Sequence, residues 1–434
     1  MSIALPFIIH IPTLFLIGIL LKKRYKDEPL KRFFWPALLL KLAAGIVLGL
    51  LYIFYYQGQG DTFIFDQYAN VLSDLFFTNP TEYLKVVFLN YIPETENLQF
   101  LFIDPRLIAF SKIVSLLNII SFGSYWITSL YLSLFSFLGT WILANYLVKI
   151  FKTSKGATTF AFLFFPSFVF WSSGLMKEAF VIGSICFIVA ITLKYIHLKK
   201  INFLNAFFVL LITYCSWQIK FYYLLVLLPT LLSYLIICRT GYLPLFNSNL
   251  RKMIGFLFIF SLITFLAILI HPTLSIDYLI AALYESYSLM LYTSKTLDKV
   301  AYEFYDFRPD VISLLLNSPK ALIIGLFRPF VWESPFNFTF LIGMEGLFIL
   351  ILALGKIYHQ IKFHIKINLE VTALLTYVSL TAIMMSLISP NWGTLIRYKS
   401  AFLPFWILFL CINNPIFLYI ETYIANIVQR HTKN

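Results

Sequence analysis

Apolar residues run along this chain in long blocks, parted by short polar segments. A helix needs about 20 mostly apolar residues to cross a bilayer. Eleven blocks approach that length: 2–21, 33–55, 125–148, 157–172, 178–196, 203–217, 221–238, 253–271, 337–357, 371–388 and 401–420. Several are too short to cross untilted, and 203–217 and 221–238 form a tight pair with Gln218 and Lys220 at the hinge. Short or polar-broken helices are tolerated where they line a cavity instead of lipid.

Two longer segments, 56–124 and 272–336, follow a different pattern. Within 66–77, Tyr68, Leu72, Leu75 and Phe76 share one helical face, with Gln67, Asn70, Ser73 and Asp74 opposite. Asn79-Pro80-Thr81-Glu82 supplies a cap, a first-turn proline and a capping-box glutamate for a second short helix. Asp104-Pro105 starts a third, running to about Ser121. Such helices are expected to lie along the membrane surface. Crossings at 105–121 and 312–331 are the alternative, disfavoured because one at 105–121 would carry Lys149, Lys152 and Lys155 to the outer side. There is no internal repeat. The expected fold is all-α, a single polytopic transmembrane domain over 1–434 with about eleven spans and surface-lying helices in the first long outer loop.

Composition agrees with this pattern. Hydrophobic residues make up 60% of the 434 and charged residues 12%, against about 25% charged in a soluble domain; mean hydropathy is +0.84. That excludes a cytosolic enzyme, a nucleic-acid binder and a disordered chain, so the net charge of +13 is read first as topology. Lys22-Lys23-Arg24 directly follows the first block and no basic residue precedes it, which predicts an N-terminus outside, a cytoplasmic C-terminus and no cleaved signal. With that orientation, twenty of the 33 Lys and Arg fall inside and fifteen of the twenty acids outside. The working surface is expected outside. Cys186, Cys215, Cys238 and Cys411 show no CxxC spacing, so neither a disulfide framework nor a structural zinc site is expected.

Candidate chemistry is carried by loops and helix ends. Asp61, in Gln57-Gly58-Gln59-Gly60-Asp61-Thr62, stands where the second span leaves the membrane. A carboxylate there suits a general base on an acceptor hydroxyl; the plainer reading is a helix-starting Asp. A set of cations occupies other outer turns: Lys177 in Ser172-Ser173-Gly174-Leu175-Met176-Lys177-Glu178, Lys220 in Gln218-Ile219-Lys220-Phe221-Tyr222-Tyr223, Arg328 in Phe327-Arg328-Pro329-Phe330, and Arg397 and Lys399 in the segment from Ser389 to Lys399. Each sits among apolar residues, where charge is costly unless an anion meets it. Snorkelling to headgroups explains any one of them; a phosphate explains the group, and Arg offers it bidentate geometry. Asp66, Glu178, Tyr222 and Arg106 are secondary candidates, Glu178 also being placed to pair with neighbouring Lys177. Asp61 with Glu94 or Glu96, and His359 with His364, are the pairs a metal could use, and solvated loop residues are the plainer reading of both; no metal or cofactor is expected. Lys41 and Glu345 lie within spans, as local pairs or bundle interior.

The layout resembles the GT-C superfamily of integral membrane glycosyltransferases, which take a sugar from a polyprenyl-phosphate carrier, including bacterial members similar to protein O-mannosyltransferases. Gly60-Asp61-Thr62, the run from Pro166 to Lys177, Phe327-Arg328-Pro329 and Gly393 to Lys399 also resemble a group of bacterial membrane proteins associated with that superfamily. The resemblance implies that Asp61 is the catalytic base and that outer Lys and Arg hold the carrier phosphate. It further implies inverting transfer to a glycan, lipid or protein acceptor at the outer face of the bacterial plasma membrane. The departure is that no DxD or paired Asp-Glu follows the early span. Two rivals stay open: an O-antigen-type polymerase or ligase, and a non-enzymatic flippase or transporter for lipid-linked sugars.

Overall fold

A computed structural model describes residues 4–92, 103–199, 202–270, 274–297, 300–333 and 339–423. Among these residues the fold is all-helical, with no strand and one isolated bridge between Ala301 and Asn391. The chain divides into two compact units. The first comprises Met1–Lys155 and Phe162–Leu224, the second Gly156–Ala161 and Leu225–Asn434.

The helices of the first unit are α1 (Ala4–Arg24), α2 (Phe34–Phe54), α3 (Asp61–Thr78), α4 (Pro80–Leu89), α5 (Pro105–Ser121), α6 (Tyr125–Phe151), α8 (Pro166–Trp171) and α9 (Lys177–Leu198). Helix α7 (Lys155–Thr159) precedes α8, and α10 (Phe203–Thr240) leaves the first unit at Leu224. Helices α6 and α9 cross where two glycines meet: a Cβ on Gly139 would stand 2.3 Å from the Gly183 carbonyl oxygen. Aromatic rings fill the space beside this crossing, with Phe34 edge-on to Trp141 at 5.1 Å and Phe137 stacked on it at 5.7 Å. Helices α3, α4 and α5 build a smaller core of Leu72, Tyr83, Val86 and Ile108. Their starts obey the sequence pattern. Asn79 accepts from the Glu82 N–H at 3.2 Å and donates back to its carboxylate at 2.9 Å, a reciprocal cap. Asp104 accepts from the Arg106 N–H at 2.8 Å.

The second unit carries α11 (Asn249–Ile270), α12 (Ile276–Thr296), α13 (Val311–Phe327), α14 (Thr339–Phe363), α15 (Leu369–Ile388), α16 (Trp392–Lys399) and α17 (Leu403–Cys411). Helix α13 packs on α15 through Gly325, whose Cβ would stand 2.6 Å from the Ala382 carbonyl oxygen. The segment before α13 is tied to the end of α15 by the Tyr302 hydroxyl, which donates to the carbonyls of Ser386 and Ser389 at 2.8 and 2.7 Å.

Eight helices among the described residues are long and apolar enough to cross a membrane, or nine when α16 and α17, bent by 67°, count as one broken span. In α11 only Phe256 is buried, and Ile254, Phe258, Phe265 and Leu269 all face outward. Water would not tolerate that surface; lipid does. The chain is therefore a polytopic membrane protein. The difference from eleven has identifiable causes. Block 157–172 is broken into α7, a π-helical turn at Phe160–Phe164 and α8, which Pro166 starts anew. Blocks 203–217 and 221–238 run as one 38-residue helix, kinked at Lys220 (φ −147°, ψ 68°). Block 401–420 holds only the nine-residue α17 before the chain turns at 412–414. Helices α5 and α13 have 17 residues each, at the lower end of span length.

Candidate functional site

In the first unit the site is built on the turn from α2 into α3. Gln57, Gly58 and Gly60 all have positive φ (54°, 74° and 120°), so the chain turns sharply within four residues. At Gly60 a Cβ would also stand 2.8 Å from the Tyr52 ring. Helix α3 then begins on Asp61, which places that carboxylate in the first turn, where the helix dipole favours an anion. The next residue locks the turn. Buried Thr62 shares a 2.8 Å hydrogen bond with the Tyr125 hydroxyl and donates to the Leu175 carbonyl at 2.9 Å.

Leu175 belongs to the turn between α8 and α9, and this turn is itself seated deep. Gly174 (φ 76°) donates its N–H to Ser133 Oγ at 2.8 Å and lies against Gly45 of α2. Ser172, in the same turn, accepts a hydrogen bond from the Lys41 ammonium, which also sits 5.2 Å from the Phe168 ring. Lys41 is thus held inside the bundle by protein groups.

Two residues after Leu175, Lys177 opens α9. A lysine there faces the positive end of the helix dipole and is partly buried, so its position carries two costs. Its ammonium lies 4.9 Å from the Phe65 ring of α3. It stands in electrostatic range of Asp104, Lys220, Asp61 and Glu178. Among the described residues no carboxylate comes within ion-pair distance of it.

Glu178 takes Lys220 instead, at 2.6 Å, with both side chains buried; sequence adjacency to Lys177 does not decide its partner. Lys220 reaches it from the break in α10, and its ammonium lies 5.8 and 5.3 Å from the Tyr222 and Tyr223 rings. Exposed Arg106, at the start of α5, lies 5.5 Å from the Phe221 ring. The first unit thus gathers Asp61, Asp104 and Glu178 with Lys177 and Lys220, and sets Arg106 against the neighbouring Phe221.

Asp66 is placed one turn further along α3. It accepts from Asn70 Nδ2 at 3.0 Å and Asn118 Nδ2 at 3.3 Å. The network runs on from Asn118 Oδ1 to Thr128 at 2.6 Å and from there to Ser121. Burial pushes the Asp66 carboxyl up to about 6, against which the two amide hydrogen bonds act. In the same way burial lowers the Lys112 ammonium of α5, which donates to Asn90 at 2.7 Å.

The remaining cations belong to the second unit. The Arg328 guanidinium is taken by Glu333: Nε donates to Oε1 at 2.8 Å, and Nη2 donates to the same oxygen. Arg328 Cζ also lies 4.8 Å from the Trp392 ring and 6.0 Å from Tyr302. Buried Lys399 donates to the Arg328 carbonyl at 2.9 Å and interacts electrostatically with Glu345. Arg397 lies 5.7 Å from the Tyr398 ring. Asn391 caps α16 through the Thr394 N–H at 3.0 Å. Glu94 and Glu96 lie outside the described residues. No group of three or more His, Cys, Asp or Glu is placed to hold a metal among the described residues.

Sequence reasoning passed over Thr62, Glu333 and Asn118. Thr62 stood beside Asp61 with no role, and Glu333 was visible only as an acid five residues after Arg328. Asn118 had no signal, since its partners on α3, Asn70 and Asp66, are 48 and 52 residues away in the chain. No known family profile, curated protein or solved structure matches the chain.

Proposed function

We propose that this protein is a GT-C-type glycosyltransferase that moves a sugar from a polyprenyl-phosphate carrier to an acceptor hydroxyl at the outer face of a bacterial plasma membrane. One observation carries this reading: the Thr62–Leu175 hydrogen bond ties the turn bearing Asp61 to the turn bearing Lys177, which brings a carboxylate and an ammonium into one charged cluster. Asp61 takes the proton from the acceptor hydroxyl as its oxygen attacks the sugar carbon. The bond from that carbon to the carrier phosphate breaks, the phosphate leaves with the electron pair, and the configuration inverts. Lys177 meets the charge that builds on the leaving phosphate, which is most effective where water is scarce. Lys220 is spent on Glu178 and orders the cluster. Arg328, Arg397 and Lys399 are the cations that the second unit offers to phosphate.

The test is donor turnover. The full chain in nanodiscs is incubated with polyprenyl-phosphate hexoses and pentoses, with bacterial membranes as acceptor source. Release of free polyprenyl phosphate supports the reading; an intact donor throughout the panel overturns it.

One observation favours a second reading. A buried ion pair at a break in a long apolar helix, as Lys220 and Glu178 make in α10, is also how transporters build central sites. Export of a lipid-linked sugar without chemical change would fit that geometry.

A further inference from the structure

In the second unit a carboxylate sits where an oxyanion ligand would. Glu333 Oε1 receives both Nε and Nη2 of Arg328, and Oε2 receives the Phe330 N–H at 2.7 Å. Two oxygens of one anion thus engage a guanidinium edge and a backbone amide, a combination that serves phosphate oxygens equally well. The cradle is otherwise fixed. Lys399, 6% exposed, donates to the Arg328 carbonyl and so fixes the backbone from which the guanidinium reaches. The Trp392 ring lies beside the guanidinium, and its buried indole N–H has no partner among the described residues. The Arg328 and Glu333 side chains keep 24% and 14% exposure, so the pair is reachable from outside. The link between them is only five residues long.

We infer that Arg328 and the Phe330 N–H form a phosphate-binding cradle that Glu333 occupies as an internal ligand, and that phosphate enters by displacing the Glu333 carboxylate. The inference rests on the glycosyl-transfer reading only for its natural ligand, the phosphate of a lipid carrier. The cradle and its occupant are independent of that reading. An internal competitor lowers apparent affinity by the fraction of time it holds the site, so removing its charge uncovers affinity already built in.

The experiment titrates inorganic phosphate into the full chain in detergent by calorimetry. In parallel, retention of phosphatidate from phosphatidylcholine–phosphatidate nanodiscs is measured by native mass spectrometry. Glu333→Gln is expected to tighten phosphate binding by about fivefold or more, and the gain should vanish in Arg328→Ala/Glu333→Gln. A gain with free phosphate shows that the phosphate group alone is recognised; a gain confined to phosphatidate shows that the lipid-borne phosphate is the ligand. No gain in either arm, or a gain that survives loss of Arg328, overturns the inference. If Glu333→Gln does not fold, Glu333→Asp is used, whose shorter arm cannot span Arg328 and the Phe330 N–H together; it should give a smaller gain of the same sign. Neither arm measures sugar transfer, so failure here and failure of the proposed reaction are separately visible.

Discussion

Lys220 and Glu178 form an ion pair of 2.6 Å with side-chain exposures of 5% and 1%, at the one non-helical residue within α10. Neither charge has water to fall back on. Removing one partner strands the other, at a cost of about 3–5 kcal/mol, whereas removing both together is often close to neutral. Lys220→Met is therefore expected to lower the thermal midpoint in detergent strongly. Lys220→Met/Glu178→Leu should recover most of the loss. Equal destabilisation by the single and double variants would show that the pair does not hold the kink.

Thr62→Val tests the lock between the two turns. The substitution keeps the shape but leaves the Leu175 carbonyl and the Tyr125 hydroxyl without their shared partner. A buried group left unsatisfied costs about 1–3 kcal/mol. A lower thermal midpoint is expected, together with reduced donor turnover as Asp61 drifts from Lys177. Unchanged turnover would separate Thr62 from the site.

Asp66 gives the α3–α5 region a pH signature. Its folded value is raised by burial to about 6 from an ordinary 3.8, so the folded state binds the proton more tightly. The stability associated with this group is fully present below about pH 4 and is lost as pH rises through 6. Thermal midpoints measured from pH 7.5 down to 5 should rise more in the wild type than in Asp66→Asn. Parallel profiles would remove Asp66 as the source.

Close helix approach supplies a packing test. Gly139→Ala places a Cβ 2.3 Å from the Gly183 carbonyl oxygen, so α6 and α9 must move apart. Overpacking of this kind costs about 1–3 kcal/mol. The thermal midpoint should fall, while the same substitution at exposed Gly58, with nothing within 4 Å of its Cβ, meets no clash and only backbone strain.

These residues show which features were legible in the sequence. Caps at Asn79 and Asp104 depend on neighbours within three residues, so spacing found them. The hinge at Lys220 showed as a polar interruption between apolar blocks. Membrane residence followed from composition. The partner of Glu178 was not legible, because adjacency pointed to Lys177 while the fold brought Lys220 from 42 residues away. The helices long enough to span differ from the apolar blocks for a related reason: hydropathy does not report that Pro166 breaks one block or that a kinked helix joins two others. At Arg328 the sequence showed a cation at a boundary, and only the fold revealed that Glu333 already fills its fork.

The central claim is that Asp61 and Lys177 act on one donor in different roles, and a single comparison separates them. Donor binding and donor turnover are measured for wild type, Asp61→Asn and Lys177→Ala in nanodiscs, on whichever polyprenyl-phosphate sugar the wild type consumes. Loss of a general base predicts that Asp61→Asn binds donor normally and turns it over at least about a hundredfold more slowly. Lys177→Ala should instead weaken donor binding. Wild-type turnover by Asp61→Asn, or the same loss of binding in both variants, would contradict the account.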